Sequence, residues 1–413
     1  MVTWRDRPED LKKDVYILRE LGKQYAEIAS DPRHTKNMEN WKKHNSLKPV
    51  KPMVYIDQIP WHELSIHDEL TLRCNHPYLK GIEWQIRETL YRWKRFPCDM
   101  VVLPYIQVSK VVRQTDIGIA PITQDNGYAQ THLYVDQIRN DEELSRIRNV
   151  HVEYEEEETN RRLELLGNIF EGILPVRLTG HQLLMNIWDK ISQLRGVEPC
   201  LYDFIERPDF LHRIMSRFVD IAMDLVDQYE SLNLFDDRLP LCHCSYTFTD
   251  ELKGEDYDPN RIKAKNMWVA GMAQLFSCCS PEMLYEFDIK HVKRVYDRFG
   301  FVYYGCCEPL HRCIGYIKNI DNVRKISVSP WADVHIAAEN MGKDYIMARK
   351  PNPAFLAEDT LAEDAIRQEI RETLDACAKN NTPTEFILKD ITTVRNDPCR
   401  LTRWYEIVKS EIE

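Results

Sequence analysis

The last part of the chain repeats one pattern four times: a short apolar run followed by a helical segment. The apolar runs are Phe301 to Tyr304, Val323 to Val328, Asp344 to Ala348 and Glu385 to Leu388. Consecutive strands joined by helices run parallel, because each helix carries the chain back to the starting edge of the sheet. Earlier strand candidates bring the total to about eight or nine, and no glycine-rich phosphate loop follows any strand. The sequence therefore predicts an α/β protein, a (β/α)8 TIM barrel rather than an open dinucleotide-binding sheet.

Residues 1–50 have a different character, polar and helical. Apolar residues from Leu11 to Tyr25 recur on one helical face, and Asp31-Pro32 is expected to end that helix. We therefore predict an N-terminal helical extension over residues 1–50 and a barrel over residues 51–413, with Met53 to Asp57 as its first strand.

Charge and composition exclude several classes of partner. The 413 residues carry a net charge of -11, which does not favour nucleic acid or anionic membranes. No apolar run reaches the ~18 residues that a membrane span needs, and the charged N-terminus does not resemble a secretory signal. Twelve cysteines without export indicate free thiols in a reducing compartment. We expect a cytoplasmic enzyme acting on a small molecule, with a homodimer as one expectation for its assembly.

Residues that follow the C-terminal ends of barrel strands are the first candidates for chemistry. After Tyr304, the chain presents Cys306, Cys307 and Glu308 together. Thiolates and carboxylates are zinc ligands, and zinc with an open position can activate a thiol or polarise a substrate. The alternative is two small core cysteines and a glutamate favoured at a helix start.

Two further strand ends carry charged groups. Arg349 and Lys350, with Asn352 in a proline-stiffened loop, would suit a carboxylate or phosphate, or would simply lie at the surface. Lys389 and Asp390 form either a proton-transfer pair or a salt-bridged rim. Asp57 and Trp61, after the first strand, are comparable candidates, although an aromatic residue there is more often packing.

For two further cysteine-containing segments, a structural role explains the residues at least as well as a chemical one. Cys242 and Cys244 would lie on one face of a strand and His243 on the other, so the three do not easily converge and a half-buried strand is favoured. Cys278 and Cys279 precede a helix, which lowers a thiol's pKa, yet small residues packed at a tight turn explain them as well.

Several of these segments resemble the uroporphyrinogen decarboxylase superfamily from about Lys51 to the end of the chain. Ser280 to Met283, with Glu286-Phe287, is similar to the segment after the fourth strand; Arg349 to Pro353 stands where the superfamily has a Gly-Asn-x-Asp-Pro loop; and Lys389 to Leu401 resembles the final strand and its proline-rich turn. The resemblance implies a (β/α)8 barrel and either decarboxylation or methyl transfer, as in the methylcobamide:coenzyme M methyltransferases.

The chain departs from that superfamily's zinc motif. Phe301 to Pro309 occupies the place of the methyltransferases' His-x-Cys-Gly motif, with Tyr304 instead of the histidine and Cys306 in place of the cysteine. The later zinc cysteine would fall near residues 390–393, where the chain has none. The resemblance thus implies an altered ligand set, such as Cys306 or Cys307 with Glu308 and Asp390.

The leading hypothesis is a zinc-dependent methyltransferase that takes a methyl group from a corrinoid on a partner protein. Alternatives are a metal-free decarboxylase of a carboxylated, tetrapyrrole-like substrate and a non-catalytic ligand-binding barrel. The residues assigned are Glu308, Lys389 and Asp390 for catalysis, Asp57, Trp61, Tyr304, Arg349, Lys350 and Asn352 for substrate binding, and Cys306 and Cys307 for metal.

Overall fold

A computed structural model describes residues 11–125 and 132–413, and a parallel sheet of seven strands lies at its centre. The described strands are β1 Met53–Ile56, β2 Ile106–Ser109, β3 Val112–Gln114, β4 Thr123–Asp125, β5 His132–Tyr134, β6 Val152–Tyr154, β7 Val176–Thr179, β8 Leu184–Met185, β9 Leu241–Cys242, β10 Ser245–Tyr246, β11 Trp268–Gly271, β12 Phe301–Tyr304, β13 Val323–Val328, β14 Ile346–Arg349 and β15 Thr384–Leu388. Strands β1, β8 and β11 to β15 form the central sheet, and the other described strands form four two-stranded sheets.

The order of strands in the sheet follows the chain and then returns to its start. Strands β11 to β15 lie side by side in sequence order, and β1 pairs in parallel with β15. The first and last strands are thus neighbours, as closure of a barrel requires. Strands β2 and β7 form a separate parallel pair. The fold is TIM-barrel-like, and the four strand–helix units that the sequence predicts supply its most regular part.

Helices surround this sheet. In the described residues they are α1 Lys12–Ala29, α2 Arg33–Asn45, α3 Trp61–Leu64, α4 Pro77–Arg95, α5 Asp141–Leu144, α6 Glu156–Phe170, α7 Ile187–Arg195, α8 Val197–Glu206, α9 Pro208–Ser231, α10 Pro281–Leu284, α11 Lys290–Tyr296, α12 Ile314–Ile317, α13 Val334–Met341, α14 Glu363–Asn380 and α15 Cys399–Ile412.

Side chains alternate between the interior of the barrel and the helix layer. Tyr55, Tyr303 and Ile387 belong to the cluster inside the barrel, whereas Tyr304 belongs to the cluster packed under the helices. Both sides of these strands are buried, so every residue of β12 and β14 is buried. Such strands read as continuous apolar runs, and the sequence does not reveal which residues point inward.

The N-terminal helices close the bottom of the barrel, at the N-terminal ends of the strands. The indole of Trp41 in α2 donates to the carbonyl oxygen of Asp99 at 2.8 Å, and His44 Nε2 lies 3.2 Å from Glu385 Oε2 inside the barrel. Glu385 also accepts a 2.7 Å bond from Lys325 Nζ, and all three side chains are buried. Residues 1–10 of the predicted extension lie outside the described residues.

Some elements differ from the sequence pattern. The apolar run at Ala273 to Ser277 predicts a strand. The strand in this region is β11, which ends at Gly271 before that run, and the run itself lies mostly in a 3-10 helix at Gln274–Cys278. Thr360 and Glu363 suggest a capping box, but α14 begins at Glu363, and its N-cap Ala362 makes no side-chain cap. Local cap preferences contribute only about 1 kcal/mol, so tertiary packing decides these boundaries.

Candidate active site

A hairpin brings His243 to the mouth of the barrel, at the C-terminal ends of the strands. Strands β9 and β10 pair antiparallel with only His243 and Cys244 between them. His243 adopts a left-handed φ of 56° at this turn. His243 therefore lies in a turn, and the alternation of side chains along a continuous strand does not apply to it. The half-buried His243 ring lies 5.5 Å from the ring of Tyr303.

The chain after β12 turns back so that Cys306 points into the same mouth. Gly305 has a φ of 92°, and a Cβ there would meet Leu310 Cδ1 at 2.3 Å. Only glycine meets both conditions without strain. The Sγ atom of Cys306 then accepts a 3.1 Å hydrogen bond from the buried Lys389 Nζ, which follows β15.

Lys389 lies close to three polar side chains. Its Nζ is 3.4 Å from His243 Nε2 and 3.6 Å from Asp390 Oδ2, in addition to the contact with Cys306. Burial lowers the pKa of Lys389, but the sulfur groups of Cys244 and Cys306 and the Asp390 carboxylate outweigh it and raise the pKa above its ordinary value. Lys389 is therefore a stable cation at the mouth.

The thiols of Cys306 and Cys307 behave differently although their Sγ atoms are 3.4 Å apart. A hydrogen bond from Cys307 lowers the pKa of Cys306 well below its ordinary value; burial opposes this, and His243 and Lys389 add to it. The pKa of Cys307 is raised by the same contact and by burial, and its Sγ donates to Asp390 Oδ2 at 3.2 Å. Cys306 is thus a thiolate and Cys307 a thiol.

His243 completes the charge pattern. Burial lowers the pKa of His243, but the neighbouring sulfur groups of Cys244 and Cys306 raise it to about 9, so the imidazole is protonated at neutral pH. The Cys306 sulfur therefore faces two cations, Lys389 and His243. A thiolate held in this way is nucleophilic at neutral pH.

A cavity of about 540 Å³ opens above these groups. Its size suits a small-molecule ligand. It is lined by Gln58, Gln182, Leu183, Leu184, Cys242, His243, Met272, Gln274, Cys306, Cys307, Lys389 and Asp390.

Two predicted substrate-binding residues point away from this cavity. Tyr304 faces the helix layer and donates from its hydroxyl to Asp288 Oδ2 at 2.6 Å. Arg349 pairs with Glu369 at 2.9 Å and donates to the carbonyl oxygen of Ser329 at 2.6 Å. In both places a neighbouring residue faces inward: Tyr303 in β12 instead of Tyr304, and Lys350, directly after β14, instead of Arg349 as the cation inside the barrel.

Glu308 and Asn352 have structural partners. The Glu308 carboxylate accepts from the backbone N–H groups of Ala273 and Cys306, each at 2.7 Å, and thereby fixes the loop that carries Cys306. Asn352 caps a 3-10 helix by accepting from Ala354 N–H at 3.0 Å. Neither side chain lines the cavity, and the Glu308 carboxylate contacts the backbone of the loop that carries Cys306.

The residues after β1 also lie to one side. Trp61 packs edge-on against Trp84 and Tyr91, and the guanidinium of Arg92 lies 5.2 Å from its ring centre. Asp57 is half-buried, and its backbone N–H bonds to Leu388. From this loop, Gln58 is the residue that reaches the cavity.

The donors at the mouth do not fit the predicted zinc ion. No three His, Cys, Asp or Glu side chains in the described parts of the chain are arranged to hold a metal. The position that a cation would share with Cys306, His243 and Asp390 is taken by the ammonium of Lys389. We therefore derive no step through zinc, and Lys389 supplies the positive charge.

No protein-family model matches the chain, and no curated protein matches it. Among solved structures, a methyltransferase from Methanosarcina mazei is similar, with 11% sequence identity over 91% of this chain and 98% of that chain and a TM-score of 0.49. The barrel fold itself rests on the strand order described above. Among the described helices, none combines the length and apolar character that a membrane crossing demands.

Proposed function

We propose that this chain is a methyltransferase in which the Cys306 thiolate carries the methyl group between a donor and an acceptor. The observation that supports the proposal is the contact of Cys306 Sγ with Lys389 Nζ at 3.1 Å, on the wall of a cavity that a ligand can enter. Covalent catalysis of this kind divides one difficult transfer into two easier ones.

The first step would form the bond between sulfur and methyl carbon. The Cys306 sulfur attacks the methyl carbon of the donor, the bond from donor to carbon breaks, and its electron pair leaves with the donor. In the second step a nucleophilic acceptor attacks the same carbon, and the electron pair of the carbon–sulfur bond returns to Cys306. Lys389 and His243 stabilise the thiolate, so they favour it as a leaving group in the second step.

The proposed donor is a methylated corrinoid on a partner protein, as the superfamily resemblance implies. The cavity of about 540 Å³ can hold a small ligand but is too small to enclose a whole corrinoid. The partner would therefore present the methyl face of the corrinoid at the rim. Asp390, which is exposed, and Gln58 lie where an approaching donor or acceptor would meet them.

Free methylcobalamin tests the proposal, because its visible spectrum changes when the methyl group leaves. We expect the wild-type chain to demethylate methylcobalamin at a rate that Cys306→Ser reduces at least tenfold. Cys399→Ser, which removes an exposed thiol on α15, is the matched control and should keep the rate. Equal rates in the wild type and in Cys306→Ser would overturn the proposal.

Decarboxylation without a metal is the second candidate. The specific observation that favours it is the buried Lys389 ammonium beside His243, which could pair with a substrate carboxylate and return a proton to the product. In that reaction Cys306 forms no bond to substrate. Release of carbon dioxide from a carboxylic acid that persists in Cys306→Ser and is lost in Lys389→Met would favour this candidate over methyl transfer.

A further inference from the structure

Lys350 is a buried cation for which the described part of the chain offers no carboxylate partner. Its side chain runs into the barrel, only 3% of the residue is exposed, and its ammonium donates to Tyr303 Oη. In the described residues no carboxylate lies within 4.0 Å of it, whereas the buried lysines Lys325 and Lys389 have Glu385 at 2.7 Å and Asp390 at 3.6 Å. A buried ammonium is costly without an anion, so a negative charge is needed nearby.

The sulfur of Cys244 is placed to be that anion. Its Sγ lies 3.4 Å from Tyr303 Oη. Because an ammonium can only donate, the Tyr303 oxygen accepts from Lys350, and the hydroxyl hydrogen of Tyr303 is left to donate to the sulfur. A sulfur that accepts a hydrogen bond between two cations, Lys350 and His243, is better matched by a thiolate than by a thiol.

The charges around Cys244 favour the same state. Burial alone would raise the pKa of Cys244, but Lys350, His243 and Lys389 lower it to about 7. The groups that face it from the elements packed around it are His243 and Cys242 on its own hairpin, Tyr303 in β12, Lys325 in β13, Lys350 after β14 and Lys389 after β15. Glu385 already neutralises Lys325, so the remaining cations exceed the anions.

We infer that Cys244 is a second thiolate, which neutralises Lys350 through Tyr303 and holds His243 in its protonated form beside Cys306. Cys244 is not among the residues that line the cavity, so it acts through His243 and is a positioning residue. The neighbouring thiol Cys242 lines the cavity, and burial raises its pKa to about 12, which makes it a matched control within the same hairpin.

This inference deepens the proposed function, because it explains how His243 remains charged at the site. Its tests do not measure methyl transfer, so the two can fail separately. If methyl transfer fails and the second thiolate is found, the charge pattern serves another reaction. If the thiolate is absent and methyl transfer occurs, only the role of Cys244 is lost.

The ultraviolet absorbance of thiolates counts them directly in the folded protein. In the Cys306→Ser variant, where Cys244 is untouched, one thiolate should remain at slightly alkaline pH and disappear on acidification. Adding Cys244→Ser to that variant should remove the remaining signal, and adding Cys242→Ser should leave it. Circular dichroism verifies the fold. A Cys306→Ser variant with no thiolate absorbance would overturn the inference, and this arm needs no change at Cys244.

The effect of the Cys244 charge on the protonation of His243 can be measured in histidine-labelled protein. Nuclear magnetic resonance follows its protonation with pH, and His243→Gln identifies its signal among the 13 histidines. Loss of the adjacent anion in Cys244→Ser should lower the midpoint of His243 by about one unit or more, whereas Cys242→Ser should not move it. An unchanged midpoint in Cys244→Ser would overturn the positioning role.

Discussion

Removal of the Lys389 charge should make the Cys306 thiolate harder to form. The Lys389→Met variant keeps the length of the side chain and removes the ammonium 3.1 Å from the Cys306 sulfur. An opposite charge this close shifts a pKa by ~1–3 units, and each unit is a tenfold change in the thiolate fraction. The pKa of Cys306 should therefore rise by about 1–3 units.

The rate of alkylation by iodoacetamide, followed for the Cys306 peptide by mass spectrometry across pH, measures this shift. The midpoint of the wild-type profile should lie below neutral pH, because the pKa of Cys306 is lowered by Cys307, His243 and Lys389. Below both midpoints, Lys389→Met should react about 10- to 1000-fold more slowly. Lys389→Arg, which retains the charge, should restore most of the wild-type profile, and the exposed Cys399 is the internal control. Equal midpoints in Lys389→Met and the wild type would refute the reasoning.

Three further predictions concern packing, pH and metal. Arg349→Met should lower the free energy of unfolding by about 3–5 kcal/mol, because the largely buried carboxylate of Glu369 loses its cation and keeps only the backbone N–H of Asn352 as a donor, and should leave the alkylation profile of Cys306 unchanged. The pKa of Glu385 is lowered to about 2; burial opposes this, but Lys325 and His44 outweigh it. Its contribution to stability is therefore complete above its unfolded pKa and declines as pH falls toward 2, so denaturant unfolding of Glu385→Gln should show a shallower loss between pH 5 and 2 than the wild type. Elemental analysis should find less than one zinc per chain after dialysis against a chelator, with the methylcobalamin rate retained; stoichiometric zinc that is required for the rate would contradict the role given to Lys389.

The sequence predicts the parallel sheet well because its evidence is periodic. Apolar runs and helical segments alternate after residue 301, and β12, β13, β14 and β15 all lie close to the predicted runs. The strand-end rule likewise selects Cys306 and Lys389, which the structure brings into contact. These inferences need only the order of the elements along the chain.

Which side chains face inward could not be predicted. All four residues of β12 and of β14 are buried, so hydrophobicity does not alternate and does not separate Tyr303 from Tyr304 or Lys350 from Arg349. The contact between Lys350 and Tyr303 depends on strand register, to which residues far apart along the chain contribute.

The position of His243 at the cavity could not be predicted for a different reason. A continuous strand would place this residue opposite Cys242 and Cys244, and the sequence around His243 lacks the Asn-Gly or Asp-Gly pair that signals a tight hairpin. His243 adopts its left-handed φ of 56° at the turn between β9 and β10. Histidine is among the residues that tolerate this conformation, which is the only local signal that could have suggested the turn.

Mass spectrometry of the Cys306 peptide after a brief reaction with isotopically methyl-labelled methylcobalamin tests the central claim most directly. The account predicts one labelled methyl group on Cys306 in the wild type, none on Cys307 or Cys399, and loss of the label when a nucleophilic acceptor is added. A label absent from Cys306 while methylcobalamin is demethylated at the full rate would contradict it.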